Sequence, residues 1–354
     1  MALSLDRYST YEKLDPGGMG GHLSGFPSQC RRSWRRANQF NLPTKFHRVN
    51  RVVVLGMGGS AIGADLVSGL ISPVRASVTV SRDYSLPASI GDRTLMIASS
   101  YSGMTEETLS SFNEALKLKC PKLVITSGGD LAEVAERNGV PVFRIDYEAP
   151  PRAALAWSFV PLLVILQRLG LIANGDARLG AVVKLLDRLA AVYGTEAVTA
   201  TNPAKMMAGR LHNRLVVVYG AGFLTAVAQR WKTQVNENSK SWSFYEVFPE
   251  LNHNAIEGYR CPDLIRRDAH VIMLGSPLLD ERLKRRYWVT ADILRRAGVK
   301  HEMVESQGDD RLSQMMSLIY LGDWVSYYLA MLNGVDPSLV DRIAYLKKRL
   351  SRLE

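Results

Sequence analysis

The sequence predicts an α/β protein built on two doubly wound parallel sheets, each sandwiched by helices, with extra helices at the N- and C-termini. Three observations predict it. A strand-length apolar run, a Gly- or Ser-rich turn and a helical pattern follow one another at RVVVLGMGGS from Arg51, at TLMIASSYSGMTEETL from Thr94 and at LVITSGG from Leu123. The runs are apolar at consecutive positions, as strands are when both faces are covered. The layout restarts at Arg214, where RLVVVYGAGF echoes RVVVLGMGGS, so a duplicated domain is expected.

In chain order, residues 1–48 form an N-terminal helical segment carrying DPGGMGGHL and two arginine doublets, whose chemistry is not readable. Residues 49–150 form the first domain. Its strand at Arg51 ends in Gly56-Met57-Gly58-Gly59-Ser60 before a helix over 61–70. A strand over 76–80, a central strand and helix over 95–119, the strand from Leu123, a short helix over 130–138 and a strand over 140–145 complete the β-α-β series. The proline break at Glu148-Ala149-Pro150-Pro151-Arg152 opens connecting helices over 151–205, one covering 153–169 and a second reaching Tyr193. The second domain, 206–310, has a helix from Leu224, a strand at 271–274, a helix over 278–297 and a strand at 301–305. Residues 311–354 supply a helix over 312–333 and an amphipathic one over 338–353.

At 354 residues the chain is long for one core, and 47% apolar with 22% charged residues is a globular composition. No apolar run is long enough to span a membrane. MALSLDRYSTYEKLD has charges where a signal peptide needs an apolar segment, so a cytoplasmic protein is expected, with no membrane partner. Cys30, Cys120 and Cys261 are odd in number and far apart, which excludes a disulfide framework or zinc motif and predicts buried thiols. The six histidines form no metal pattern, so no metal is expected. A net charge of +10 suits an anionic partner, large or small. The basic clusters (Arg31, Arg32, Arg35 and Arg36; Arg282 with Lys284 to Arg286; Lys347 to Arg349) lack any nucleic-acid-binding signature and are read as solvated helix faces, with no nucleic-acid partner.

Two turns are candidate anion sites, because a turn opening a helix aims free N–H groups and the positive end of the helix dipole at one point. Around Gly103, Ser100, Ser102 and Thr105 add hydroxyls, more than one helix cap requires. Gly56, Gly58 and Ala61 also satisfy a relaxed dinucleotide fingerprint, with Asp83 near the end of the next strand. A nicotinamide enzyme is therefore a rival, although the hydroxyl-rich loop has no role in it.

The densest polar stretch is QRWKTQVNENSKSWSFYEVFPELNHNAIEG, 229–258. Its helix loses its apolar face early and a half-aromatic loop is expected to follow, so polar groups among aromatics point to a cleft. Glu237 is a candidate base and His253 a candidate acid. Capping and loop contacts would explain both equally well.

GMGGSAIGADL, SSYSGMTEETL, ITSGG, PPRAAL, NENSK, ELNHNAIEG and GVDPSLVDRIAYLK together resemble the bifunctional phosphoglucose/phosphomannose isomerases, a branch of the phosphoglucose isomerase superfamily built on sugar-isomerase (SIS) domains. The first two mark such domains generally; E-N-x-K followed by E-x-N-H-N is more specific to this branch. The resemblance implies two SIS domains, a homodimer with shared active sites, a sugar phosphate substrate, and neither metal nor organic cofactor. It implies that Ser100, Ser102 and Thr105 grip the phosphate while Gly58, Gly59 and Ser60 line the sugar. Arg152 would steady an enediolate, Glu237 would move a proton between C1 and C2, and His253, from the partner subunit, would open the ring with Lys347. Lys347 is taken over Lys348 because Ile343, Leu346 and Lys347 match the family's ending.

Interconverting an aldose and a ketose needs a carboxylate base, a ring-opening group and a cation for the developing oxyanion, and these residues supply one of each. Ser338 stands where the family often has the threonine linked to accepting both epimers, and Met104 where asparagine is common. A sugar-phosphate sensor remains a further alternative, although no helix-turn-helix is visible in residues 1–48.

Overall fold

A computed structural model of the chain describes residues 4–71, 76–172 and 176–351. Helices α1 (Tyr8–Leu14), α2 (Met19–Ser24) and α3 (Phe26–Gln39) lead into β1 (Arg51–Leu55), α4 (Gly58–Ser68), β2 (Ser77–Ser81), β3 (Thr94–Ser99), α5 (Glu106–Leu116), β4 (Lys122–Thr126), α6 (Gly129–Arg137) and β5 (Val142–Arg144). The five strands are parallel in the order β2-β1-β3-β4-β5. Every residue of β3, the middle strand, is buried, which is why its sequence does not alternate.

Connecting helices α7 (Leu155–Arg168), α8 (Asp176–Tyr193) and α9 (Pro203–Leu211) precede the second sheet. It comprises β6 (Leu215–Ala221), α10 (Thr225–Ser239), β7 (Ser243–Phe248), α11 (Leu264–Asp268), β8 (Ala269–Gly275), α12 (Glu281–Arg296) and β9 (Lys300–Glu305), all strands parallel in the order β7-β6-β8-β9. Helices α13 (Arg311–Leu332) and α14 (Asp341–Leu350) follow. The predicted fold class is the observed one.

Two largely apolar helices, buried on all sides, form the centre. α7 is buried throughout 155–166 and packs on α3 and α4; α13 is buried throughout 312–331 and packs on α8, α9 and α10. Such helices belong inside a protein or a membrane. Among the described residues none is long and apolar enough to cross a membrane. α4 and α10 also touch, and one apolar core runs from the N-terminal helices through both sheets. That contact brings the first sheet's turns to the second sheet's polar helix.

Several expectations are corrected. The aromatic loop after residue 240 contains the edge strand β7, which the periodicity hid because Phe244, Tyr245 and Glu246 in a row are exposed. Of the three thiols only Cys30 is fully buried, Cys120 is partly so and Cys261 is exposed. Burial pushes the Cys30 thiol up to about 12. The last helix begins at Asp341, three residues later than expected, and its predicted end at residue 353 lies outside the described residues. So do residues 173–175 of the connecting helices and the first three of the N-terminal stretch.

Candidate active site at the edge of the first sheet

Parallel strands put the turns after β1, β3 and β4 on one sheet edge, where ligands bind in open α/β folds. The turns are stitched together. The Ser60 hydroxyl accepts from the Tyr101 N–H at 3.0 Å, and the Ser99 hydroxyl donates to the Ser60 carbonyl at 3.2 Å. Gly103 has φ +70° and stands so close to the next turn that an added Cβ would lie 1.8 Å from the Gly128 carbonyl oxygen. Only glycine fits there.

Helix capping alone does not account for the hydroxyls. Thr105 is the N-cap of α5 but its side chain takes no capping bond; it pairs with the Ser100 hydroxyl at 2.8 Å. Buried Ser100 also accepts from the Gly103 N–H at 3.1 Å, and exposed Ser102 accepts from the Met104 N–H at 3.2 Å. The turn thus places three hydroxyls at the N-terminus of an eleven-residue helix, whose first N–H groups lack intrahelical partners. Met104 is exposed, although its sulfur would lie only 3.0 Å from a Cβ at Gly129 in the next turn.

Gly59 links this edge to Arg152, since a Cβ there would meet the Pro151 carbonyl oxygen at 3.2 Å and the Arg152 nitrogen at 3.4 Å. The Arg152 side chain is only 4% exposed and its terminal nitrogen lies 3.6 Å from Glu237 Oε2. Its Nε donates to Asn238 Oδ1 at 2.6 Å, and its other terminal nitrogen to the carbonyls of Pro337 and, at 2.9 Å, Ser338. Desolvation lowers the guanidinium's pKa, while Glu237 and Asp336 oppose that shift.

Glu237, 30% exposed, lines a cavity of about 620 Å³ with Asn236, Lys240, Trp242 and residues 339–343. That volume is in the range of small-molecule sites. Lys240 ends α10 at φ +57° and donates to the Glu237 and Asn238 carbonyls at 2.8 and 3.2 Å. Burial first, and then Arg152, pull its amine down to about 8.

The structure therefore gathers Gly58, Gly59, Ser60, Ser100, Ser102, Thr105, Arg152 and Glu237 around one edge. Within one chain it does not add His253 or Lys347. His253 is exposed in the turn Glu250–His253 after β7, whereas Glu237 precedes β7; six strand residues separate their levels by roughly 20 Å. Lys347 and Lys348 are exposed on α14, beyond the part of the chain that lines the cavity. Ser338 contributes its carbonyl to Arg152, and its buried hydroxyl has no partner among the described residues. No group of three or more His, Cys, Asp or Glu among the described residues is arranged to hold a metal ion.

Sequence reasoning missed the buried half of the polar helix. Arg230, Gln234 and Asn238 form an i, i+4, i+8 stripe turned toward α13, where Asp323 and Ser326 receive them. The spacing was visible, but a polar stripe reads as a solvated face until its partner helix is known.

The model of the bacterial phospho-glucose isomerase C-terminal SIS domain matches residues 200–350. The chain is 40% identical over 331 residues to the bifunctional phosphoglucose/phosphomannose isomerase of Caldicellulosiruptor bescii, covering 93% of this chain and 97% of that one. It is 33% identical over 303 residues to the enzyme of the same name from Aquifex aeolicus, covering 85% and 90%. In fold it is similar to a glucose-6-phosphate isomerase from Chlamydia trachomatis, with a TM-score of 0.69 at 14% identity over 92% of this chain and 72% of that one. With identity sustained along nearly the full length of its relatives, this chain belongs to the bifunctional phosphoglucose/phosphomannose isomerase family.

Proposed function

We propose that the protein is a metal-independent aldose-ketose isomerase that interconverts glucose 6-phosphate, and mannose 6-phosphate, with fructose 6-phosphate. The observation that carries it is the Glu237 carboxylate lining a cavity, 3.6 Å from the guanidinium of buried Arg152. The loop of Ser100, Ser102 and Thr105 holds the phosphate, and Gly58, Gly59 and Ser60 line the sugar.

Glu237 takes the C2 proton of the open-chain aldose and returns it to C1, while the hydroxyl proton passes from O2 to O1. Arg152 stabilises the enediolate oxygen that bears the charge in between. Both C2 epimers pass through this one enediolate. Ring opening falls to His253 of the partner subunit with Lys347. The difference in level of roughly 20 Å along β7 between Glu237 and the same chain's His253 supports a homodimer with shared sites. The domain division at 49–150 and 206–310, and a cytoplasmic location, belong to the same proposal.

The test is a coupled assay for fructose 6-phosphate from each aldose phosphate separately, with EDTA present. Turnover of both supports the dual isomerase and shows that Ser338 can stand in for threonine. Turnover of glucose 6-phosphate alone narrows the substrate. No turnover of either, with sugar-phosphate affinity intact, makes the protein a sensor.

A further inference from the structure

We infer that Asn238 is a positioning residue that aims the Arg152 guanidinium at the reacting carbons, an inference that rests on the roles proposed for Arg152 and Glu237. The hydrogen bonds around Arg152 leave it little freedom. Nε is committed to Asn238 Oδ1 and one terminal nitrogen to the carbonyls of Pro337 and Ser338. The remaining nitrogen is the one facing Glu237, at 3.6 Å.

The amide's orientation follows from its other end. Asn238 Nδ2 donates to Ser326 Oγ at 2.9 Å, and that hydroxyl spends its only proton on the Asp323 carbonyl at 2.7 Å. Ser326 must therefore accept, so the Asn238 nitrogen faces α13 and its oxygen faces Arg152. Asn238 and Ser326 are fully buried and Asp323 is 3% exposed. These groups are withdrawn from bulk solvent.

Asp323 also holds the main chain of the same arginine. Its carboxylate accepts from Arg230 at 2.7 Å and from Gln234 at 2.9 Å, and Arg230 donates in turn to the Arg152 carbonyl at 3.1 Å. Backbone and side chain of Arg152 are thus both tied to one residue of the central helix. A cation held this way needs no reorganisation when negative charge develops beside it, which is where electrostatic catalysis gains most.

The experiment is a double-mutant cycle on the full chain, measuring kcat and KM for N238A, R152A and the double variant, with N238D as the conservative replacement. N238A is expected to lower kcat roughly ten- to hundredfold with KM changed little, as for a group misplaced by about 1 Å. N238D keeps an acceptor for Nε but loses the donor to Ser326, so it should recover only part of that loss. In the R152A background N238A should cost nothing more, because its effect runs through the arginine. Additive losses, equal losses in N238A and N238D, or an unchanged kcat in N238A would overturn the inference. R152A at wild-type kcat would overturn the role of Arg152 itself, whereas a slow R152A beside a fast N238A removes only the positioning. If N238A does not fold by circular dichroism, S326A, which deprives the amide of its acceptor, enters the cycle in its place with the same non-additivity expected.

Discussion

Glu237 and Arg152 sit at 3.6 Å, beyond hydrogen-bond length but well within electrostatic reach. At that distance the guanidinium leaves the carboxylate's lone pairs uncommitted, the condition a base needs. Glu237→Gln is expected to lower kcat by several orders of magnitude with KM largely kept, because the lost group acts mainly in the transition state. Steady-state kinetics decide it, and retained turnover would remove Glu237 from the mechanism. Ser100→Ala should instead raise KM, since it removes a hydroxyl from the phosphate loop and unpairs Thr105. An unchanged KM would mean that the loop only shapes its helix. Lys240 adds a pH dependence. With its pKa drawn down to about 8 from 10.5, it loses its positive charge as pH rises through about 8, so KM for a dianionic substrate should rise there. The folded pKa lies below the unfolded one, so the unfolded chain holds the extra proton between those values and this group's contribution to stability improves across that window. Urea melts from pH 7.5 to 10.5 on wild type and K240M read the difference.

The turn after β3 works because its backbone goes where side chains cannot. Gly103→Ala places a Cβ 1.8 Å from the Gly128 carbonyl oxygen in a left-handed conformation, so the turn must separate from its neighbour. The strain alone is about 1 kcal/mol, and the clash adds to it. A melting temperature lower by at least about 3 °C is expected, together with a higher KM. A variant matching wild type in both would show that the turns need not touch. Elements differed in how legible they were. β1, β3 and β4 announced themselves as unbroken apolar runs, and the turns after them by their glycines and serines. β7 did not, because an edge strand with exposed Phe244 and Tyr245 lacks both the alternation and the full burial that pattern reading depends on. The helix α10 was found but divided wrongly in function: its cavity side carries Glu237 and Lys240, and its buried side carries Arg230, Gln234 and Asn238.

In the proposed mechanism one chain supplies the base, the cation and the phosphate loop, but its own His253 lies beyond the strand β7 from Glu237. Exposed Trp242, Phe244 and Tyr245 near β7, and Ile343, Leu346 and Leu350 along α14, are apolar surfaces that an isolated subunit leaves in water. Both facts agree with the proposed dimer. Mixing E237Q and H253A subunits tests it. Each variant alone should be nearly inactive, and subunit exchange should restore activity approaching about a quarter of the wild-type sites, since half the dimers then hold one intact shared site. No recovery, with exchange verified by native mass spectrometry, would show that the sites are not shared.

Local order was enough to specify the two parallel sheets and the glycine- and serine-rich turns that carry the proposed phosphate site, because consecutive burial, glycine turns and short motifs are properties of neighbouring residues. The companions of Arg152 were decided only by tertiary packing. Asn238 and the carbonyls of Pro337 and Ser338 come from two distant parts of the chain, and they meet at one guanidinium because α10 packs against α13 and the chain after α13 returns to Arg152. No periodicity encodes such a meeting: it depends on which helix faces find each other when the core closes.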